Sequence, residues 1–355
     1  MTDLVANPAA KVDQPALIDV LRGIPEACYK RSTVRGLSYV ARDAAIYAVL
    51  LFALITVDTW WAVPLLWLAT GLCISGIFVI GHDASHNALF DSKRLNAFVA
   101  KLALLPLAHV ESAWDFGHNR VHHGHTVKQG MDFVWHPATN DEWSTMGRFA
   151  RLRHRFEWSW LGAGFYYGRN VWWNKMMRFT TEGKLGGTIA RERRVMSLLL
   201  AIAAAAVGYA GWRAHGDIVG ITWMIVKVAV VPWLLFTWMI GFVVYVQHVN
   251  IDIRWYPRRE WTKFRGQMEG TTNLRIPRVF NFFLHNIFVH VPHHVDMRIP
   301  FYRLPHAMRS IESRFPGVAI TKKLRLRDYL STTSGCKLYD FDAGKWSRYP
   351  AKTAA

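Results

Sequence analysis

Between Ala44 and Ile80 the chain carries a single charged side chain, Asp58, and no other stretch constrains the fold so tightly. The run is long enough for two membrane spans of ~20 residues, with a tight turn near Asp58–Pro64. A second apolar stretch, from Val195 to Val246, is interrupted at Trp212–Asp217 and reads as a second pair. These lengths predict an all-α integral membrane protein with four transmembrane helices in two hairpins, at about 44–62, 63–81, 195–212 and 221–246. Composition agrees: apolar residues make up 52% of the chain, with 17 Trp, alongside a formal charge of +18.

The charge is unevenly placed. Lys and Arg crowd the N-terminal tail, the stretch from Arg94 to Arg194 and the chain after Arg254, while the two connectors within the apolar pairs carry almost none. The positive-inside rule then puts both termini on the cytoplasmic face. The chain divides into a cytosolic N-terminal segment 1–43, an integral domain 44–311 and a cytosolic tail 312–355. Basic clusters such as Arg191–Arg194 adjoin apolar spans, so anionic lipid head groups explain them better than nucleic acid, for which no module is visible. A basic cytoplasmic face also suits an acidic electron carrier.

Smaller features complete this reading. The first 43 residues lack the apolar core of a signal peptide. Ala97–Val110, broken by Lys101 and Pro106, is too short to cross and suits a helix in the interface that shapes a lipid entry route. Lys227 lies inside the fourth apolar run without a partner that sequence can name. Cys28, Cys73 and Cys336 share no motif spacing and are expected to be reduced.

Beyond the apolar runs stand three histidine clusters: His82 and His86; His118, His122 and His123; and His290, His293 and His294. A random chain of this composition would contain His-x-x-His-His about 0.03 times, so the doublets carry the weight. Imidazoles four apart on a helix share a face, and adjacent ones diverge by about 100° and can reach two different ions. Eight clustered histidines exceed what one ion needs. A hydrolytic zinc site would add an acid or base as in His-Glu-x-x-His, which is absent here. Imidazole suits iron, and neutral ligands favour an oxidising centre. A cytosolic helical cap carrying a histidine-ligated diiron site is therefore expected, able to use O2 against an unactivated C–H bond. The natural substrate in lipid is an alkyl chain.

The clusters, their order and their position after paired spans resemble the membrane fatty acid desaturases, most of all the plant and bacterial acyl-lipid Δ12 (omega-6) group. Ile24–Cys28, Ser38–Asp43, Tyr245–His248, Phe283–Ile287, Ile299–Tyr302 and Pro305–Ala307 extend the likeness from about Ile24 to Ile311. The resemblance implies iron ligation by the eight clustered histidines and by His248 after the fourth span. It also implies an orienting role for Asp132, with His285 and His125 as weaker candidates for the surrounding shell. One departure is the second box, here His-x-x-x-His-His where the Δ12 group usually has one residue fewer. On an α-helix this gap puts His118 and His122 on one face.

The implied reaction introduces a double bond into an acyl chain with O2 and two external electrons. The substrate would be an acyl lipid, acyl-ACP or acyl-CoA within membrane lipids. A hydroxylase or acetylenase is the alternative within the same chemistry, and a non-catalytic metal-binding membrane protein the alternative outside it. No fused haem motif or dinucleotide fingerprint is visible, so a separate ferredoxin or cytochrome b5-like donor with its reductase is implied. The resemblance places the enzyme in a bacterial inner membrane with the site facing the cytoplasm.

Overall fold

The computed structural model describes residues 16–351; the two ends assigned above to the cytoplasm, 1–15 and 352–355, lie outside the described residues. The principal helices are α1 (Thr33–Thr56), α2 (Ala62–Ser85), α3 (Lys93–Leu104), α4 (Arg148–Glu157), α5 (Gly183–His215), α6 (Ile218–Ile225) and α7 (Val231–His248). A π-helical segment, Val226–Val230, joins α6 to α7. Among the described residues four stretches are long and apolar enough to cross a membrane: Glu26–Thr56, Ala62–Ser85, Gly183–His215 and Ile218–His248. The first helix starts well ahead of Ala44 because the Ser32 hydroxyl accepts the Arg35 N–H and caps it there.

Burial separates the four. In α2, 61% of the apolar window is buried, against 11% in the first stretch and 17% in α5, so α2 is the central helix and the other two present their apolar sides outward. α2 packs against α1, α3 and α7, while α5 packs along α6. α3 is amphipathic, burying Val99, Ala103 and Leu104 while exposing Phe98 and Leu102. It ends in a short 3-10 turn, Leu105–Leu107, within the segment expected in the interface.

Between α3 and α5 the chain forms short helices, among them Glu111–Asp115, the π-helical segment Phe116–His122, Ala163–Tyr166 and the π-helical segment Tyr167–Met177. Ala163–Tyr166 reaches α7 because both partners are glycine there: a Cβ on Gly241 would lie 2.2 Å from the Ala163 carbonyl, and one on Gly164 would lie 2.5 Å from the Trp238 backbone. After α7, a π-helical segment Arg265–Glu269 leads into strand β1 (Thr272–Arg275), which pairs in parallel with β2 (Ile320–Lys323) in the register Thr272 to Ile320. Strands β3 (Leu338–Asp340) and β4 (Lys345–Ser347) form an antiparallel pair near the C-terminus.

Lys227 has a partner after all. Its side chain is fully buried, and its ammonium donates to Asp58 Oδ1 at 2.5 Å and to the Val57 carbonyl at 3.2 Å, both in the connection between α1 and α2. The partner is 169 residues away in sequence, which is why the apolar run alone did not reveal it. The Trp67 indole donates to the Lys227 carbonyl at 2.8 Å, holding the π-helical turn in place.

Candidate metal centre

The first box ends α2, where His82 and His86 are one turn apart and the chain leaves the helix at His86. The third box is a short helix, Val291–Val295, with His290 at its N-terminus and Pro292 in its first turn. His248 is the last residue of α7. Three separate stretches and a fourth helix end thus converge on one place.

Two groups result. His82, His86, His118, His123 and His293 each offer a nitrogen within 4.8 Å of the others, and His122, His248 and His294 do the same. His290 joins the second group, its Nε2 lying 3.1 Å from that of His294 and 3.3 Å from that of His248. The doublets split between the groups, as adjacent positions on a helix require. His118, however, does not act with His122. The His123 N–H donates to the His118 carbonyl five residues back, and this π turn brings the His118 and His123 Nε2 atoms to 3.1 Å. The α-helical expectation for this box is corrected by that one extra residue per turn.

The donor set fits a cation. Asp83 Oδ1 lies 3.0 Å from His82 Nδ1, and Asp132 Oδ1 lies 2.9 Å from His122 Nδ1. Asp132 also accepts the N–H groups of Val127 and Val134, each at 3.0 Å. A carboxylate so placed accepts a hydrogen bond from the Nδ1–H and so leaves Nε2 of the neutral ring with only a lone pair. Yet Nε2 of His82 lies 3.1 Å from that of His118, and Nε2 of His123 lies 3.1 Å from that of His293. In each facing pair at most one nitrogen can carry a proton, so lone pairs are directed into the cluster. Two nitrogens each about 2.1 Å from one ion, at right angles, would sit about 3.0 Å apart, which is the spacing found. His86 Nε2 is buried without a hydrogen-bond partner among the described residues and belongs to the first group. Burial, followed by the neighbouring imidazoles, holds His118, His123, His290, His293 and His294 well below the ordinary histidine range, so the rings are neutral donors.

Further side chains set the rings. His294 Nδ1 is 3.1 Å from Gln267 Oε1 and 3.2 Å from Thr126 Oγ1, His248 Nδ1 faces the Gly270 carbonyl at 3.3 Å, and His86 Nδ1 is 3.1 Å from Met297 Sδ. Of these orienting residues, sequence reasoning singled out only Asp132. Asp83 was legible as the residue beside His82, and its second oxygen accepts the Phe301 N–H at 2.6 Å, tying the first box to the chain beyond the third. Gln267 and Met297 carried no sequence signal. His285 is not brought to the centre: its ring pairs with Asp43 at 2.6 Å and packs on Phe301. His125 is also outside both groups, with Nδ1 3.1 Å from the Val121 carbonyl and its ring near Trp261.

An apolar channel opens directly onto the imidazoles of both groups. Phe78, Tyr167, Ile240 and Val243 are among its walls, and His118 and His248 lie at its inner surface. Buried neutral ligands beside an apolar channel suit oxidation of an apolar substrate with water kept out.

Known proteins resemble this chain along most of its length. The sn-1 oleoyl-lipid 12-desaturase of Synechocystis sp. is 27% identical over 96% of this chain and 93% of its own length. The chloroplastic omega-6 fatty acid desaturase of Glycine max is 28% identical over 92% of this chain and 74% of its own. The endoplasmic reticulum omega-3 fatty acid desaturase of Vigna radiata var. radiata is 30% identical over 84% and 77%. The family model described as fatty acid desaturase matches residues 58–322, from the turn after α1 to β2, and so takes in every histidine of the two groups. An acyl-chain oxidoreductase is what such a centre beside such a channel would serve, and the chain belongs to the fatty acid desaturase family.

Proposed function

We propose that this membrane desaturase holds two iron ions, one among His82, His86, His118, His123 and His293 and the other among His122, His248, His290 and His294. The convergence of two groups of imidazole nitrogens, each within 4.8 Å of its fellows, carries this reading. Bound there, a pair of irons supplies the O2-dependent removal of two hydrogens from adjacent acyl carbons, with two electrons delivered from outside.

The chain's own residues do the rest. Asp83 and Asp132 hold the Nδ1 protons of His82 and His122 and so fix which nitrogen faces inward. Phe78, Ile240 and Val243 confine an alkyl segment beside the imidazoles and exclude water. Double-bond position then follows from how far the chain penetrates. The oleoyl-lipid 12-desaturases among the relatives support an acyl lipid as substrate and the omega-6 side of oleate as the reacting region. Orientation follows the charge: a bacterial inner membrane, two helical hairpins, and a cytosolic cap with the site and both termini inside, where a ferredoxin or cytochrome b5-like protein delivers electrons.

The test is expression in a host of simple lipid profile with a competent reductase system, followed by mass spectrometry of total acyl chains with double-bond localisation. A new chain lacking two hydrogens, abolished by His293→Ala, is expected. A product gaining one oxygen would make the enzyme a hydroxylase, and unchanged chains would refute the reading.

A further inference from the structure

The segment that joins α7 to β1 is strongly basic. From Arg254 to Arg265 it holds Arg254, Arg258, Arg259, Lys263 and Arg265 against a single carboxylate, Glu260. Glu260 is shared by Arg254 and Arg259, while Arg258 and Lys263 form no ion pair among the described residues and are exposed. The turn after the second box lies against this segment: the Tyr256 N–H donates to the Val127 carbonyl at 2.9 Å, and the Gln129 N–H donates to the Tyr256 carbonyl at 3.0 Å. That turn brings in Lys128, which also has no ion pair among the described residues.

Trp261 stands among these charges. Its ring is partly exposed, with the Lys128 ammonium 4.6 Å from its centre. Inward, the indole N–H donates to the Thr126 carbonyl at 2.8 Å. The Thr126 hydroxyl donates to the His122 carbonyl at 2.9 Å, and its oxygen lies 3.2 Å from His294 Nδ1. Gly266 permits this closeness, since a Cβ there would lie 3.0 Å from both the Thr126 carbonyl oxygen and the indole nitrogen. A surface ring is thus joined to His294, a member of the second group, by two hydrogen bonds and the covalent bonds of one threonine. Electrons tunnel much more readily through covalent and hydrogen bonds than across gaps, so the path is a short one. Met297 also reaches an imidazole from the surface, at His86, but the neighbouring Arg298 is already paired with Asp296, and that exit offers no free charge.

The chemistry of the patch selects its partner. Apart from the edge of Trp261, no large apolar side chain is exposed between Arg254 and Arg278, so nothing anchors the patch in hydrocarbon. A neutral membrane quinol would gain nothing from its cations. An acidic protein with a one-electron centre near its own surface matches both the charge and the ring.

We propose that Trp261 and the surrounding Lys128, Arg258 and Lys263 form the docking surface of a small acidic one-electron carrier protein, and that electrons enter through Trp261 and Thr126 to His294. The electron's destination rests on the two-iron reading of the centre, whereas the docking does not. Each encounter oxidises one carrier by one electron. Two encounters supply the two electrons that, with the two hydrogens taken from the acyl chain and two protons from solvent, reduce O2 to two waters.

Plant-type ferredoxin, an acidic carrier, is the probe in two measurements on the full-length protein. The first is the Kd for oxidised ferredoxin, which needs no turnover. Binding should weaken steeply between low salt and ~0.3 M salt, and K128E/R258E/K263E should weaken it by roughly thirtyfold, while R148E/R153E/R155E, the same charge change on α4, should alter it little. In the second, reduced ferredoxin is mixed anaerobically with the iron-loaded protein and its reoxidation is followed. At saturating ferredoxin W261L should slow this step several-fold and W261F, which keeps the ring but not the N–H, should slow it less, with reduction by dithionite unchanged in both. A Kd indifferent to K128E/R258E/K263E would leave the patch to anionic lipid and overturn the proposal, as would equal weakening by the α4 variant. Native reoxidation rates in W261L, or equal slowing with dithionite, would overturn the electron path. Cation-dependent docking and electron uptake without any acyl product would support the surface while refuting the desaturase reading, and a new double bond with docking independent of these cations would do the reverse.

Discussion

The backbone N–H of His123 donates to the carbonyl of His118, and this i to i+5 bond is what lets a box of six residues contribute to both histidine groups. Were the segment α-helical, His118 would align with His122 and the first group would lose its junction with His123. The π turn absorbs the extra residue and restores the alignment of first and last histidines. Deleting Arg120, which is exposed and lies within the turn, should let the segment relax to an α-helix with His118 and the final histidine four apart. The expected outcome is retained iron, measured by elemental analysis of purified protein. Inserting an alanine at the same place should lose it.

How much of this was legible beforehand depends on the distance over which each feature is decided. Four apolar stretches and the splitting of the doublets at 122–123 and 293–294 are local matters of run length and helical angle, and both could be read directly. The π turn at His118 could not, because an α-helical and a π-helical turn share one sequence and only packing against the other boxes selects between them. His285 was misjudged for a similar reason: it adopts a left-handed backbone, φ 47°, at the end of a short helix, which aims its ring at Asp43 rather than at the centre. Asp83 and Asp132 show the contrast, one beside His82 within α2 and one ten residues from its partner, brought back by the turns that follow the second box.

Asp132 supplies the next expectation. Its carboxylate accepts a hydrogen bond from the His122 Nδ1–H while two backbone N–H groups hold the carboxylate itself. Asp132→Ala leaves that imidazole N–H buried without an acceptor and free to rotate. Iron affinity at one of the two positions should fall by roughly 10–100-fold, read by chelator competition with two-phase release. Asp132→Asn, which keeps an oxygen acceptor, should lose less. His125→Ala, outside both groups, should leave the release profile unchanged.

The Lys227–Asp58 pair makes a prediction about stability alone. The lysine is fully buried and its partner half exposed, so removing Asp58 strands an ammonium among apolar helices with only the Val57 carbonyl to accept from it. Asp58→Ala should cost roughly 1–3 kcal/mol, the solvated side of the pair moderating the loss. Adding Lys227→Met removes the stranded charge and should recover most of it. A thermal unfolding series of the two single variants and the double variant measures the coupling, and additive single effects would show that the pair is not energetically linked.

Glu111, whose carboxyl accepts from the Ser85 hydroxyl beside the first box, adds a pH dependence of its own. Burial, reinforced by the charges of Glu192 and Asp115 and opposed by Lys101, raises its carboxyl from 4.5 to about 7. Because the folded-state value lies above the unfolded one, the protonated side chain favours the folded protein. That contribution is fully present below about pH 4.5 and is lost as the pH rises through about 7, where the folded protein must ionise a buried carboxyl. Unfolding midpoints should therefore decline between pH 5 and pH 8 by more in the native protein than in Glu111→Gln, which carries no charge to bury. The variant should equal or exceed the native midpoint at pH 8, where the native carboxyl is ionised. Parallel declines in the two proteins would assign the loss to other groups, and a steeper decline in the variant would reverse the sign argued for Glu111.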